Sequence, residues 1–198
     1  MSRILATSAL AVALAAPPAR ASLPTLAQSE PPGGSLILHP FAGAFVPVGA
    51  QRQLLETALI VGLEWSWRIT SGVAITGRLG WSPTRDLLVA GNPALDAFHY
   101  DIGGEARGEG WMEGEGWEIT PFAGLGGGAR TYVYRALAFR ATTNLAAYGA
   151  AGADIGFGRL GFRIEGRHYF SQLEPLFGPG VHTTRNDLAL SAGLWVRS

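Results

Sequence analysis

From Leu36 onward this chain alternates. Apolar residues recur at every second position through eight segments, near residues 36–46, 57–68, 73–82, 97–107, 117–130, 145–157, 160–171 and 186–197. A period of two marks strands, because successive side chains leave a pleated backbone on opposite faces. No stretch of similar length carries the 3.6-residue period of a helix. The fold class is therefore all-β. Each segment matches the roughly 9–11 residues that a tilted strand needs to cross a bilayer.

The links between segments alternate in length. Ile69-Thr70-Ser71-Gly72 and Gly158-Arg159 are tight hairpin turns. The links 47–56, 83–96, 131–144 and 172–185 are longer and contain Pro47, Pro83, Pro93, Pro175 and Pro179. GEGWMEGEG, 108–116, is a medium-length acidic turn on the short-link side. Alternating long and short links suit an even-stranded, antiparallel, up-and-down barrel with one elaborated rim.

Each segment has two unlike faces. In the second, Leu59, Val61, Leu63, Trp65 and Trp67 oppose Ala58, Ile60, Gly62, Glu64, Ser66 and Arg68. In GFRIEGRHYFS, 161–171, Phe162, Ile164, His168 and Phe170 oppose Arg163, Glu165, Arg167, Tyr169 and Ser171. The third, fourth, fifth and eighth segments behave in the same way, while the first shows no clear phase. Alternation alone does not say which face points inward, since a soluble lipocalin-like barrel shares the period.

Two further patterns decide it. On the polar face, Arg68, Arg78, Arg107, Arg130, Arg163 and Arg167 meet Glu64, Asp101, Glu105, Glu118, Asp154 and Glu165, six charges of each sign. A closed interior requires such a balance, because an unpaired buried charge costs several kcal/mol; a solvated face does not. Arginine suits that setting, since its planar fork grips carboxylates bidentately. On the apolar face the aromatics sort to the strand ends. Trp65, Trp67, Trp117, Phe157 and Phe162 fall at the short-turn rim; Trp81, Phe98, Tyr100 and Phe170 fall at the long-loop rim, with Leu, Ile and Val between them. Two aromatic girdles around an aliphatic band is the pattern of a barrel meeting both interfaces of a bilayer. The expectation is an eight-stranded transmembrane β-barrel with its charges inside and lipid outside.

The remaining composition agrees. Fifteen basic residues, all Arg, balance fifteen acidic ones, so no basic block invites nucleic acid. There is no Cys, which excludes disulfides and thiolate metal sites. Arg3, the apolar run Ile4–Ala16 and Ala19-Arg20-Ala21 read as an export signal over 1–21, with cleavage expected after Ala21. Residues 22–35 read as a flexible lead-in and 36–198 as the barrel domain.

The pieces PFAGAFVP (40–47), LGFRIEGRHYFS (160–171) and LALSAGLWVRS (188–198) carry a resemblance. Over about 36–198 the chain resembles the small bacterial outer-membrane barrels of the OmpA/OmpX-like kind, the outer membrane protein β-barrel domain group. That group usually closes on an aromatic residue; this chain closes on Arg197-Ser198 after the alternating Leu190, Ala192, Leu194 and Val196. The resemblance implies an outer-membrane location, lipid contact and handling by the barrel-insertion machinery. It implies no single activity.

Candidate chemistry is thin. GLGGGAR, 124–130, lacks the Lys and the following helix of a phosphate loop, and reads as glycines clearing room inside a strand. Glu109, Glu113 and Glu115 do not match a calcium loop and read as a solvated turn. His168, Ser171 and Glu174 could form a hydrolytic trio, but alternation sends His168 and Ser171 to opposite faces. His39, His99 and His182 are scattered. Neither cofactor nor metal is expected, and the chain reads as a monomer without catalysis. Its lumen, too narrow at eight strands to stay open around so many charged groups, reads as plugged. A narrow channel and a secreted soluble binding barrel are the alternatives.

Overall fold

The computed structural model describes residues 35–88, 90–108, 112–114, 116–135, 141–173 and 183–196. Apart from Ser35, the segments read as export signal and lead-in lie outside that range. Eight long strands form the wall: β1 (Leu36–Pro47), β2 (Ala58–Arg68), β3 (Val73–Arg85), β4 (Ala94–Arg107), β6 (Trp117–Tyr134), β7 (Thr142–Phe157), β8 (Leu160–Leu173) and β9 (Thr183–Val196). A three-residue strand, β5 (Met112–Gly114), pairs only with β6 and extends the acidic turn as a short hairpin.

All neighbours are antiparallel, and β4 pairs with β6 while β1 pairs with β9, so the sheet closes on itself. Closure leaves no open edge in the wall, so each of the eight long strands has a partner on both sides, as a bilayer demands of its spanning backbone. Consecutive wall strands are hydrogen-bonded neighbours throughout, which is the up-and-down order. The tight turns are where the sequence places them. Ile69 N–H and Thr70 N–H both donate to the Val73 carbonyl, at 3.0 and 3.2 Å. Gly158 takes φ 62°, and Phe157 pairs with Leu160 across that turn.

Strands run further at the long-loop rim than the periodicity indicates. β3 continues through Pro83 to Arg85, β4 starts at Ala94, and β6 reaches Tyr134. Proline there signals a turn in sequence terms. In the structure β2 and β3 pair no further than Val61↔Trp81, while Pro83 pairs with Asp96 on β4 alone. Its missing N–H therefore falls on the strand's free side. Pro40 and Pro121 obey the same rule: each is paired on one side, beyond the last pair on the other.

The barrel is inside-out relative to a soluble protein. Leu125, Leu145 and Ile102 are 73%, 81% and 62% exposed, whereas Arg78 and Glu105 are 1% and 4% exposed. Leu63 and Ile75 also lie on the outside. An exposed apolar belt on this scale is not tolerated in water; in hydrocarbon it costs nothing. The nine girdle aromatics all take outward positions. Phe157 and Phe162 meet edge to face at 6.2 Å. Trp81 donates its indole N–H to Asp96 at 2.7 Å, which keeps its polar atom at the rim.

Candidate functional site in the barrel lumen

Alternation sends every second residue of each strand into the lumen, so the lumen's content follows from the strand sequences. Ten of the twelve charged residues read from the sequence as lumenal are buried there: Glu64, Arg78, Asp101, Glu105, Arg107, Arg130, Asp154, Arg163, Glu165 and Arg167. Arg68 and Glu118 take the same inward register but sit half-buried near the short-turn rim, where Glu118 accepts a hydrogen bond from Thr120 at 3.0 Å.

The buried charges connect in layers. Nearest the short-turn rim, Arg107 bridges Glu105, at 2.6 Å, and Asp154. Arg163 touches the same two carboxylates and reaches Glu64 at 2.9 Å and Glu165 at 3.2 Å. In the middle, Glu64 and Glu165 are shared by Arg78, Arg163 and Arg167. Above them Arg167 reaches Asp101 at 3.1 Å, and the Tyr169 hydroxyl donates to the same carboxylate at 2.6 Å. Highest of all, Arg130 pairs with Asp187 at 3.1 Å. These contacts join β2, β3, β4, β7 and β8 across the interior, and the Arg130–Asp187 pair joins β6 to β9. Each guanidinium has a carboxylate, which is what offsets the desolvation of both.

A second feature escaped the sequence reading. Four of these arginines stack on inward-facing rings. Arg78 lies 3.7 Å over Phe41, Arg130 lies 3.6 Å over Tyr169, Arg163 lies 3.6 Å over Phe122 and Arg167 lies 4.3 Å over Tyr148. Desolvated contacts of this kind contribute on the order of 2 kcal/mol each. The rings fit because glycines stand opposite them. Phe41 pairs with Gly62, Phe122 with Gly152 and Tyr148 with Gly126. A Cβ at Gly62 or Gly152 would lie 2.6 Å from the facing ring. The GLGGGAR stretch falls within β6, where Gly126 and Gly128 clear space beside Tyr148 and Asp101.

Towards the long-loop rim the filling becomes apolar. Phe45, Ile60, Leu95, Ala97, Tyr132 and Ala189 are buried together, and Leu55 joins them from the link after β1. That link carries a 3-10 turn over Gly49–Gln53 and bridges back to Asp86. His99 sits in this region, edge-on to Phe45 at 5.1 Å and within 3.2 Å of Ser82. A cavity of about 10 Å³ lies lower, lined by His39, Phe41, Glu64, Arg78, Glu165 and Ser191. That is room for about one water.

Other candidates are dispersed. His168 points outward against Phe170, ring centroids 4.3 Å apart, while Ser171 is buried inside. Glu174 lies outside the described residues, as do Glu109, Glu115 and His182. Glu113 is placed by its backbone, opposite Glu118. Among the described residues no three His, Asp or Glu side chains gather as a metal would need. Asp187 and His39 were missed as lumenal groups. Asp187 shares its parity with Ala189 and Ser191, so the register was available. His39 lies in a strand whose two faces, Ile37-Phe41-Phe45 and Leu36-Leu38-Ala42, are equally apolar.

No family model and no curated protein matches this chain. Solved structures do. OprG, an outer membrane protein of Pseudomonas aeruginosa, superposes with a TM-score of 0.56 at 12% identity, covering 83% of this chain and 95% of that one. The Neisserial surface protein A gives 0.52 at 10% identity, covering 82% and 97%. Likeness at such identities concerns the backbone alone, and on that ground the chain has the fold of the small eight-stranded bacterial outer-membrane β-barrels.

Proposed function

We propose that this protein resides in the bacterial outer membrane as an integral barrel whose role is structural or interactive, with a lumen plugged by its own side chains and no catalysis. One observation carries the reading: the charges are buried and the large aliphatic residues face out. Lipid is then the surrounding medium, and the long-loop rim is the part free to meet a partner. The plug has two parts, an ionic network below and an apolar cap of Phe45, Ile60, Leu95 and Tyr132 above. Together they argue against a narrow channel. The alignment of outward aromatics in two girdles argues against a secreted soluble barrel.

Fractionation tests the location. The protein is expected in the outer membrane, migrating differently on gels before and after boiling. Recovery from solution without detergent would overturn the reading. Planar bilayers test the plug. The wild type is expected to pass no steady current; discrete conductance that changes on substituting Arg78 or Glu165 would favour the channel instead.

A further inference from the structure

Among the described residues, the connected lumenal network is not neutral. Its connected arginines are Arg78, Arg107, Arg163 and Arg167, and its carboxylates are Glu64, Asp101, Glu105, Asp154 and Glu165: four against five. Arg130 and Asp187 form a separate pair, and the half-buried Arg68 and Glu118 near the short-turn rim add one charge of each sign. A surplus negative charge inside a closed barrel is costly unless something compensates it. Beside it stands His39, 2% exposed, with no hydrogen-bond partner for either ring nitrogen. His39 is the cross-strand partner of Glu64, and both line the 10 Å³ cavity. The charged groups around the pair come from every side: Arg78 on β3, Glu105 and Arg107 on β4, Asp154 on β7, and Arg163, Glu165 and Arg167 on β8, with Ser191 on β9 and the Phe122 ring on β6.

We propose that the closed lumen retains one proton beyond those of its arginines, held between His39 and Glu64 through a water lodged in the cavity that both line. The proton neutralises the network, and the water satisfies an imidazole that otherwise has no partner. This rests on the reading of the lumen as plugged, since an open lumen would let solvent ions supply the balance.

The sign of the pH effect follows. In the unfolded chain Glu64 and His39 lose their protons near the ordinary values of about 4.3 and 6.5. Above about pH 6.5 the folded barrel therefore binds one proton more than the unfolded chain, and its stability falls with rising pH. The unfolding constant rises up to about tenfold per pH unit until the pair itself titrates, then levels.

The test compares wild type with Glu64→Gln and with a rim control, Glu118→Gln, by urea unfolding of the detergent-folded barrel across that range. Glu64→Gln is expected to flatten the profile and Glu118→Gln to leave it unchanged. A second readout on the wild type needs no variant to fold. The His39 ring ¹⁵N resonances and the infrared signal of a protonated carboxyl are expected to change together, at the pH where the profile levels. An undiminished slope in Glu64→Gln, or His39 resonances of a plain neutral ring unchanged from about pH 5 to about pH 9, overturns the inference. A barrel that fractionates with the outer membrane while failing these tests leaves the location standing.

Discussion

Arg163 is the residue whose loss should be felt most. Its guanidinium contacts Glu64, Glu105, Asp154 and Glu165, and it stacks on Phe122. Arg163→Met keeps the length and much of the ring contact but removes the charge. Glu105 retains Arg107, Glu165 retains Arg78 and Arg167, and Asp154 retains Arg107. The network as a whole is left with three arginines for five carboxylates. Breaking a buried pair from one side costs about 3–5 kcal/mol, and losing a desolvated cation–π contact adds about 2 kcal/mol at most. Relaxation in neighbouring pairs offsets part of the sum, so about 4 kcal/mol is expected, near a thousandfold in the unfolding constant. The assay is urea unfolding of the barrel in lipid vesicles, followed by tryptophan emission and by the unboiled gel shift. Arg85→Gln is the control. Arg85 and Glu56 approach to 3.6 Å with both side chains more than half exposed, and such pairs contribute about 0–1 kcal/mol. If Arg163→Met costs no more than Arg85→Gln, the network does not hold the barrel and the argument from buried balance fails.

Three further outcomes are expected. Gly62→Val places a Cβ 2.0 Å from the Leu79 carbonyl and 2.6 Å from the Phe41 ring, so the folded fraction on unboiled gels should fall by an overpacking cost of at least about 1–3 kcal/mol. Leu125→Arg, on the lipid face midway along β6, should cost about 2–4 kcal/mol in vesicles, whereas Trp67→Arg at the girdle should cost about 0–1 kcal/mol beyond the lost ring; equal costs would mean that the belt does not face hydrocarbon. Asp96→Asn should weaken the grip on Arg135, now held at 2.8 and 2.6 Å, and alter the emission of Trp81, whose indole donates to the same carboxylate; an unchanged spectrum would remove Trp81 from the rim contact.

The wall of the barrel was legible because its rule is local. Whether Leu63 or Glu64 faces out is fixed by parity, and parity survives in sequence. The charge balance identified the closed face for the same reason. What lay beyond reach was lateral. That Phe41 covers Gly62, or that Arg163 stacks on Phe122, depends on strand register, and two-residue periodicity does not encode register between strands. β1 was opaque for a different cause. Both of its faces are apolar, because Phe41 and Phe45 fill the lumen as platforms for arginine and not as lipid contacts. The strand ends at the long-loop rim were read short because proline is a breaker only where a strand has neighbours on both sides, which Pro83 does not.

The cross-lumen contacts bear on how such a molecule could be threaded into its setting. Arg167 on β8 meets Glu64 on β2, and Arg78 on β3 meets Glu165 on β8. A lone hairpin entering the bilayer would carry these groups naked into oil, at a penalty no early intermediate could bear. Insertion must therefore wait for, or be catalysed together with, the moment when first and last strands meet, so that zippering of β1 to β9 and neutralisation of the interior become a single late event.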